Sequence, residues 1–181
     1  ADPPALIVLA AWTAAATLAA GLLALDERSR ADSVRAARGT RRLERDCDLV
    51  PEAVLDSQLA HYWRLHERYG TDYVYMIVSV DDAPGLAKRI GPRRWERLRE
   101  RVATVVRRSV RACDLCSAVD FDRFGVLLPH ASLPHARPVA ERIRDNVAEA
   151  TRGEGRDGPV TVSIGLADAA RGAARERGTG E

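Results

Sequence analysis

A charged turn between two strand-like runs constrains the fold of this chain more than any other feature. Leu115 to Val119 and Gly125 to Leu128 are mostly apolar, and Pro129 closes the second run. Between the two runs lie Asp120, Phe121, Asp122, Arg123 and Phe124. Strand-like runs separated by so short a segment predict a β-hairpin with charge at its turn.

The other segments of the domain alternate between helical and strand patterns. Apolar residues recur at helical spacing in three segments, which begin at Pro51, Pro92 and Leu133 and end near Tyr69, Val110 and Ala150. The β-branched runs Tyr73 to Val80 and Val160 to Ala167 predict core strands, and Asp81 to Gly85 break the chain after the first. The order helix, strand, helix, hairpin, helix, strand predicts an α+β fold with a central sheet flanked by helices.

The amino-terminal part predicts a membrane anchor. Ala5 to Leu25 contain no charged residue, and roughly 20 apolar residues in a helix span a bilayer. A cleaved signal peptide is the alternative, but no basic residue precedes this long run. The residues that follow are rich in arginine: Arg28, Arg30, Arg35, Arg38, Arg41, Arg42 and Arg45. This bias predicts a single-pass cell-membrane protein whose carboxyl-terminal domain is cytoplasmic.

These patterns divide the chain into four parts. Residues 5–25 are the predicted transmembrane helix, and residues 26–45 are a helical linker able to pair with a second copy of itself. Residues 46–167 form the α+β domain. Residues 168–181, which show no apolar period, are predicted to be a disordered or truncated tail.

Charge and cysteine content exclude two classes of function. The net charge is only +2, which argues against a nucleic-acid binder that works by general phosphate attraction. The 3 cysteines fit reduced cytoplasmic thiols rather than a disulfide framework. Cys113 and Cys116 have metal-ligand spacing, but no matched pair of histidines completes a zinc site, so we interpret the spacing as coincidence. We interpret the repeated string Leu-Pro-His-Ala, at positions 128 and 133, as a loop coincidence too.

Several motifs resemble the GGDEF, or diguanylate cyclase, family. They are the strand ending Met76 to Asp81, the pair Arg111 and Asp114, the strand Phe124 to Pro129, the helix string Ala140 to Arg144, and Val160 to Gly165. Each motif is weak alone, but their order and spacing together are more specific. The resemblance covers residues 46–167 and implies a nucleotidyl cyclase-like central sheet.

Compared with the pattern of this family, the residues that would carry catalysis are replaced in this chain. The resemblance implies a metal-binding aspartate where Ser79 stands, and a Gly-Gly-Asp/Glu-Glu-Phe turn where Asp120, Phe121, Asp122, Arg123 and Phe124 stand. A hydroxyl is a poor ligand for a divalent cation, and an arginine is no ligand at all. The residues that would read guanine fall on Ala87 and Glu96, and Ala87 has no hydrogen-bonding side chain. We therefore expect no cyclase activity and no catalytic metal.

A second site of the family is better preserved. The resemblance implies that Arg111, Asp114 and Arg142 bind the product cyclic di-GMP at an inhibitory site. Guanidinium groups bind phosphate or a guanine edge through paired hydrogen bonds, and a carboxylate accepts from guanine N–H groups. The alternative is that Arg111 and Asp114 only pair with each other at a helix end, with Arg142 a surface residue.

Three hypotheses of function remain open. The first is a catalytically inactive membrane receptor for cyclic di-GMP, which signals as a homodimer or to a membrane partner. The second is a scaffold or dimerisation domain that binds no nucleotide. The third is a weak nucleotide hydrolase that gathers a cation on Asp81, Asp82 and Asp122.

Overall fold

The computed structural model of the protein describes residues 42–153 and 158–169. Residues 42–46 are helical. The elements that follow are α1 (Glu52–Tyr69), β1 (Tyr73–Val80), α2 (Ala83–Ile90), α3 (Pro92–Arg108), β2 (Leu115–Ala118), β3 (Arg123–Pro129), α4 (Leu133–Ala150) and β4 (Val162–Asp168). The predicted α+β class is confirmed, with helices packed on a single described sheet.

The sheet has the strand order β2-β3-β1-β4, and each neighbouring pair is antiparallel. In the centre of β1, Ile77 lies opposite Gly125 of β3 and Gly165 of β4. The prediction that Tyr73–Val80 is a central strand is therefore confirmed. The predicted hairpin is confirmed as well, because β2 and β3 are adjacent in both sequence and sheet.

The two faces of the sheet bury different sets of residues, because successive side chains of a strand point to opposite faces. In β1, Val74, Met76, Val78 and Val80 belong to the main core, which α2, α3 and α4 cover. Tyr73 and Tyr75 belong instead to a smaller cluster with Leu55 of α1. Helix α1 therefore packs on the face opposite the other three helices.

Helix α1 matches its predicted bounds. Pro51 precedes the first turn, where its lack of an N–H costs no intrahelical hydrogen bond. Gly70 ends the helix in the left-handed conformation (φ 66°), and its N–H donates to the carbonyl of His66. Glycine adopts this conformation without steric cost, so the predicted C-cap is confirmed.

Helix α2 was not predicted, because Pro84 and Gly85 suggested a break. Both residues suit the start of this helix. Pro84 lies in the first turn, where no donor is required, and the Asp82 carbonyl accepts from the N–H of Leu86. A Cβ at Gly85 would meet the Asp82 carboxylate, which would have to turn aside.

Several predicted boundaries move by a few residues. Arg123 and Phe124 belong to β3 rather than to the turn, since both pair with β1 and Phe124 also pairs with β2. The turn is therefore shorter than predicted, and main-chain N–H groups of Val119 and Asp120 donate to the Arg123 carbonyl at its end. Strand β4 begins at Val162 rather than Val160, and it includes Asp168, which was assigned to the tail.

None of the helices in the two described ranges is long and apolar enough to cross a bilayer. The predicted transmembrane helix at 5–25, most of the linker at 26–45 and nearly all of the tail at 168–181 lie outside the described residues. These assignments stay predictions.

Candidate functional site

The turn between β2 and β3 holds an acid whose neighbours are a hydroxyl and a cation. The Ser79 hydroxyl donates to Oδ2 of Asp122 (3.3 Å), and Nε of Arg123 lies 3.9 Å from Oδ1 of the same carboxylate. The main-chain carbonyl of Asp122 accepts from the N–H of Val80 (2.9 Å). Asp122 is thus tied to the end of β1 and already paired with a positive charge.

An aromatic stack covers this turn from helix α3. The ring of Phe121 lies against that of Trp95, with centroids 4.7 Å apart and planes inclined by 25°. Trp95 is buried, whereas Phe121 remains 41% exposed. The family resemblance would place glycine, with no side chain, at the position of Phe121.

A buried arginine supports the same turn from beneath. Arg99 of α3 is 2% exposed and donates from Nη2 to the Asp120 carbonyl (3.1 Å), with Glu96 3.9 Å from Nη1. Burial lowers the pKa of Arg99, and the negative charges of Glu96, Asp120 and Asp122 oppose that shift. Glu96, one of the two positions expected to read guanine, is therefore close to Arg99. The other, Ala87, offers only a methyl group.

The three carboxylates of the hydrolase hypothesis have separate partners. Asp81 accepts from the hydroxyls of Thr161 (2.6 Å) and Ser163 (2.7 Å), which fastens β4 to the end of β1. Asp82 pairs with Arg89 (2.9 Å) at the start of α2. Among residues 42–153 and 158–169, no group of three or more His, Cys, Asp or Glu side chains is arranged to hold a metal ion.

The second candidate site is a cavity of about 390 Å³ at the opposite end of the hairpin. Its walls come from the loop after α3, the end of β3 and one face of α4. The lining includes Arg111 and Asp114 from the loop and Arg142 from the helix. The structure thus brings together the three residues that the sequence assigned to one site.

Hydrogen bonds hold two of these three side chains in place. Oδ2 of Asp114, which is buried, accepts from the main-chain N–H of Arg111 (2.7 Å). Nη2 of Arg142 donates to the Ser109 carbonyl (2.7 Å) at the end of α3. Asp114 therefore contacts the main chain of Arg111, and Arg142 bridges two elements rather than standing alone on the surface.

The two cysteines near this cavity differ in environment. Cys113 is exposed in the loop, and Cys116 is buried in β2. Burial raises the pKa of the Cys116 thiol to about 12, so this group stays protonated at neutral pH. A buried thiol of this kind is a packing group.

Comparison with known proteins decides the family. Residues 48–176 match the family described as "Diguanylate cyclase, GGDEF domain". The chain belongs to the GGDEF family. It is 32% identical over 102 residues to the probable diguanylate cyclase DgcT of Escherichia coli K12, a match that covers 52% of this chain and 22% of DgcT. The matched part therefore spans about a fifth of that relative.

Solved structures show the same fold as this GGDEF domain. The GGDEF domain of DgcB from Caulobacter crescentus, determined in complex with c-di-GMP, superposes with a TM-score of 0.62 at 19% identity, over 74% of this chain and 89% of that one. The diguanylate cyclase SiaD from Pseudomonas aeruginosa, in complex with its activator SiaC, also gives 0.62, at 21% identity over 97% and 71% of the two chains.

Four residues of the GGDEF domain's candidate sites escaped sequence reasoning. Trp95 and Arg99 belong to the segment predicted as a helix from Pro92 on, and nothing in that pattern indicated their contacts with the turn. His130 and His135 line the cavity with Arg111 and Arg142. The repeated Leu-Pro-His-Ala string contains both histidines and was the one signal that could have drawn attention to them.

Proposed function

We propose that this GGDEF domain binds cyclic di-GMP in the cavity of Arg111, Asp114 and Arg142, and that it does not synthesise this nucleotide. The observation that carries the proposal is the convergence of these residues on one cavity from a loop and a distant helix. The complex of the DgcB GGDEF domain with c-di-GMP supports it by analogy of fold.

The cavity offers the chemistry that a cyclic dinucleotide requires. The guanidinium groups of Arg111 and Arg142 are suited to phosphodiester oxygens or to the Hoogsteen edge of guanine. The carboxylate of Asp114 is a hydrogen-bond acceptor for guanine N–H groups, and Val110, Leu128 and Pro138 add apolar surface for a base. Because Arg142 is held on the Ser109 carbonyl, it lies near the ligand before binding.

The turn supports the second half of the proposal. Phosphoryl transfer between nucleotides needs metal ions held by anionic oxygens, and here Ser79 and Arg123 both contact Asp122. The Phe121 ring on Trp95 adds bulk where the resemblance implies a glycine main chain. Both features argue against a nucleoside triphosphate and its metal ions at this turn.

The receptor is proposed to act at the inner face of the cell membrane. The uncharged run at 5–25 and the arginines after it support this location. Cells expressing the full chain should retain it in the membrane fraction after washing with alkaline carbonate, which strips peripheral proteins. Recovery of the chain in the carbonate wash would contradict an integral anchor. We propose that the bound domain passes its signal to a second copy of the chain or to a membrane protein.

Binding is best tested by calorimetric titration of the full chain, in neutral detergent micelles, with cyclic di-GMP. We expect saturable heat that Arg111→Ala and Arg142→Ala abolish. Arg144→Ala is the matched control, because Arg144 is an exposed arginine of the same helix outside the cavity lining. Absence of heat with the wild type at high ligand concentration would reject the receptor and favour a scaffold.

Synthesis is tested separately by incubating the same protein with GTP and Mg²⁺ or Mn²⁺. We expect no cyclic di-GMP above a protein-free control. Metal-dependent formation of cyclic di-GMP, or of GDP and phosphate, would show that the domain is an enzyme and would overturn that part of the proposal. The binding of cyclic di-GMP would still be decided by the calorimetry.

A further inference from the structure

Two histidines that the proposed function does not use line the cavity. His130 follows the end of β3, and His135 lies in the first turn of α4. They occupy two of the three walls of the cavity, and Arg111 and Arg142 complete its set of basic side chains. Any anion that contacts both arginines therefore enters a space whose lining includes both histidines.

Helix geometry places His135 on the same face as Arg142. The lining residues of α4 are His135, Pro138, Val139 and Arg142, which are spaced i, i+3, i+4 and i+7. At ~1.5 Å per residue, the main-chain positions of His135 and Arg142 lie roughly 10 Å apart along the helix. A ligand with two phosphodiester groups can therefore contact Arg142 with one end and His135 with the other.

Both rings have contacts that hold them. Nδ1 of His135 lies 2.7 Å from the hydroxyl oxygen of Ser132, the residue that caps α4. The His130 ring packs edge-on against Tyr62 of α1, with centroids 6.1 Å apart, and its main chain is left-handed (φ 51°). Side chains that are already ordered lose less entropy when a ligand binds.

We propose that His130 and His135 contact the bound nucleotide and make its affinity depend on pH, with tighter binding at acidic pH. The inference rests on the proposed function of the cavity. The charged groups that line the cavity with them are Arg111, Arg142 and Asp114. An entering dianion would place negative charge beside both histidines and between the two arginines.

The sign of the effect follows from linkage. An imidazolium donates a charge-assisted hydrogen bond to a phosphate, so the complex holds more protons than the free protein near neutral pH. Binding then takes up protons, and the Kd falls as the pH falls. The phosphodiesters and the guanine rings keep the same charge over this range, so the ligand does not contribute.

The test is calorimetry of the full chain with cyclic di-GMP at about pH 6 and about pH 8. We expect a Kd about tenfold lower at the acidic pH, equivalent to ~1.4 kcal/mol. Titrations in buffers with different ionisation enthalpies should show net proton uptake. The double variant His130→Asn/His135→Gln should show neither effect. Asn is used at His130 because it tolerates the left-handed conformation.

A control variant and separate outcomes keep this inference distinct from the proposed function. His61→Asn, which replaces an exposed histidine outside the cavity lining, should keep the full pH dependence. Two outcomes would overturn the role of the histidines: a wild-type Kd that is equal at both pH values, or a double variant whose Kd depends on pH as much as that of the wild type. Either outcome would leave the proposed binding of cyclic di-GMP standing. No binding at either pH would reject the receptor itself.

Discussion

At the scale of single residues, contacts from α3 and β1 hold the turn in place. Arg99 is buried beneath it and donates to the Asp120 carbonyl, and Nε of Arg99 has no hydrogen-bond partner among the described residues. Burying a charge in this way costs free energy unless the surroundings compensate. Here Glu96 and the Asp120 carbonyl offset part of that cost, and Arg99 fastens the turn to α3.

The stack of Phe121 on Trp95 should contribute measurably to stability. We expect Phe121→Ala to lower the free energy of unfolding by about 1 kcal/mol, since an aromatic pair adds ~0.5–1.5 kcal/mol beyond area burial. Urea unfolding followed by tryptophan fluorescence measures it. Tyr69→Ala is the control: Tyr69 is 68% exposed, and its loss should cost less than ~0.5 kcal/mol. Equal losses in both variants would mean that the stack adds nothing specific.

The three thiols should react at very different rates. Cys113 is exposed, whereas Cys47 and Cys116 are buried, and burial raises the pKa of Cys116 to about 12. Since the thiolate is the reactive form, iodoacetamide at neutral pH should alkylate Cys113 first. Peptide mass spectrometry of the folded protein measures the order. Early modification of Cys116 would show that β2 opens readily.

At the scale of elements, the β2–β3 hairpin joins the two sites. Its turn carries Asp122. At its open end, Asp114 immediately precedes β2, Pro129 ends β3 and His130 follows it. Strands rise ~3.3 Å per residue, so the two sites lie roughly 15–20 Å apart. The residues between the two ends of β3 are buried, so a rigid strand separates the turn from the cavity.

The hairpin should be sensitive to a single added methyl group at its centre. A Cβ on Gly125 would lie 2.7 Å from Leu55 Cδ2, 2.8 Å from Tyr75 Oη and 3.0 Å from Val119 Cγ1. We expect Gly125→Ala to cost about 1–3 kcal/mol in urea unfolding. Gly165→Ala in β4, where a Cβ meets nothing within 4 Å, should change stability by less than ~0.5 kcal/mol. An unchanged free energy of unfolding in Gly125→Ala would show that α1 moves away from the sheet without cost.

At the scale of the whole molecule, α1 closes one face of the sheet, and the other helices close the opposite face. The cavity lies where the loop after α3, the end of β3 and the start of α4 meet. A ligand there contacts three elements that are distant in sequence. Binding should therefore stabilise the domain as a unit.

Cyclic di-GMP should raise the unfolding temperature of the full chain. A ligand at 100 times its Kd adds ~2.7 kcal/mol to the free energy of unfolding, which corresponds to an increase of several degrees, roughly 5–10 °C. Differential scanning fluorimetry measures the shift. Arg142→Ala should lose it and Arg144→Ala should keep it. A shift that survives in Arg142→Ala would place the ligand elsewhere.

The sequence by itself determined the family, the order of the elements other than α2, and the three residues of the cavity. Periodicity, turn chemistry and motif spacing are local properties that a sequence shows directly. It missed α2, because Pro84 and Gly85 suggested a break although both are compatible with the start of a helix. Only the tertiary structure decided that Phe121 stacks on Trp95, that Arg99 is buried, and that both histidines line the same cavity as the arginines. The physical reason is that such contacts join residues far apart in the chain, and only the packing of helices on the sheet brings them together.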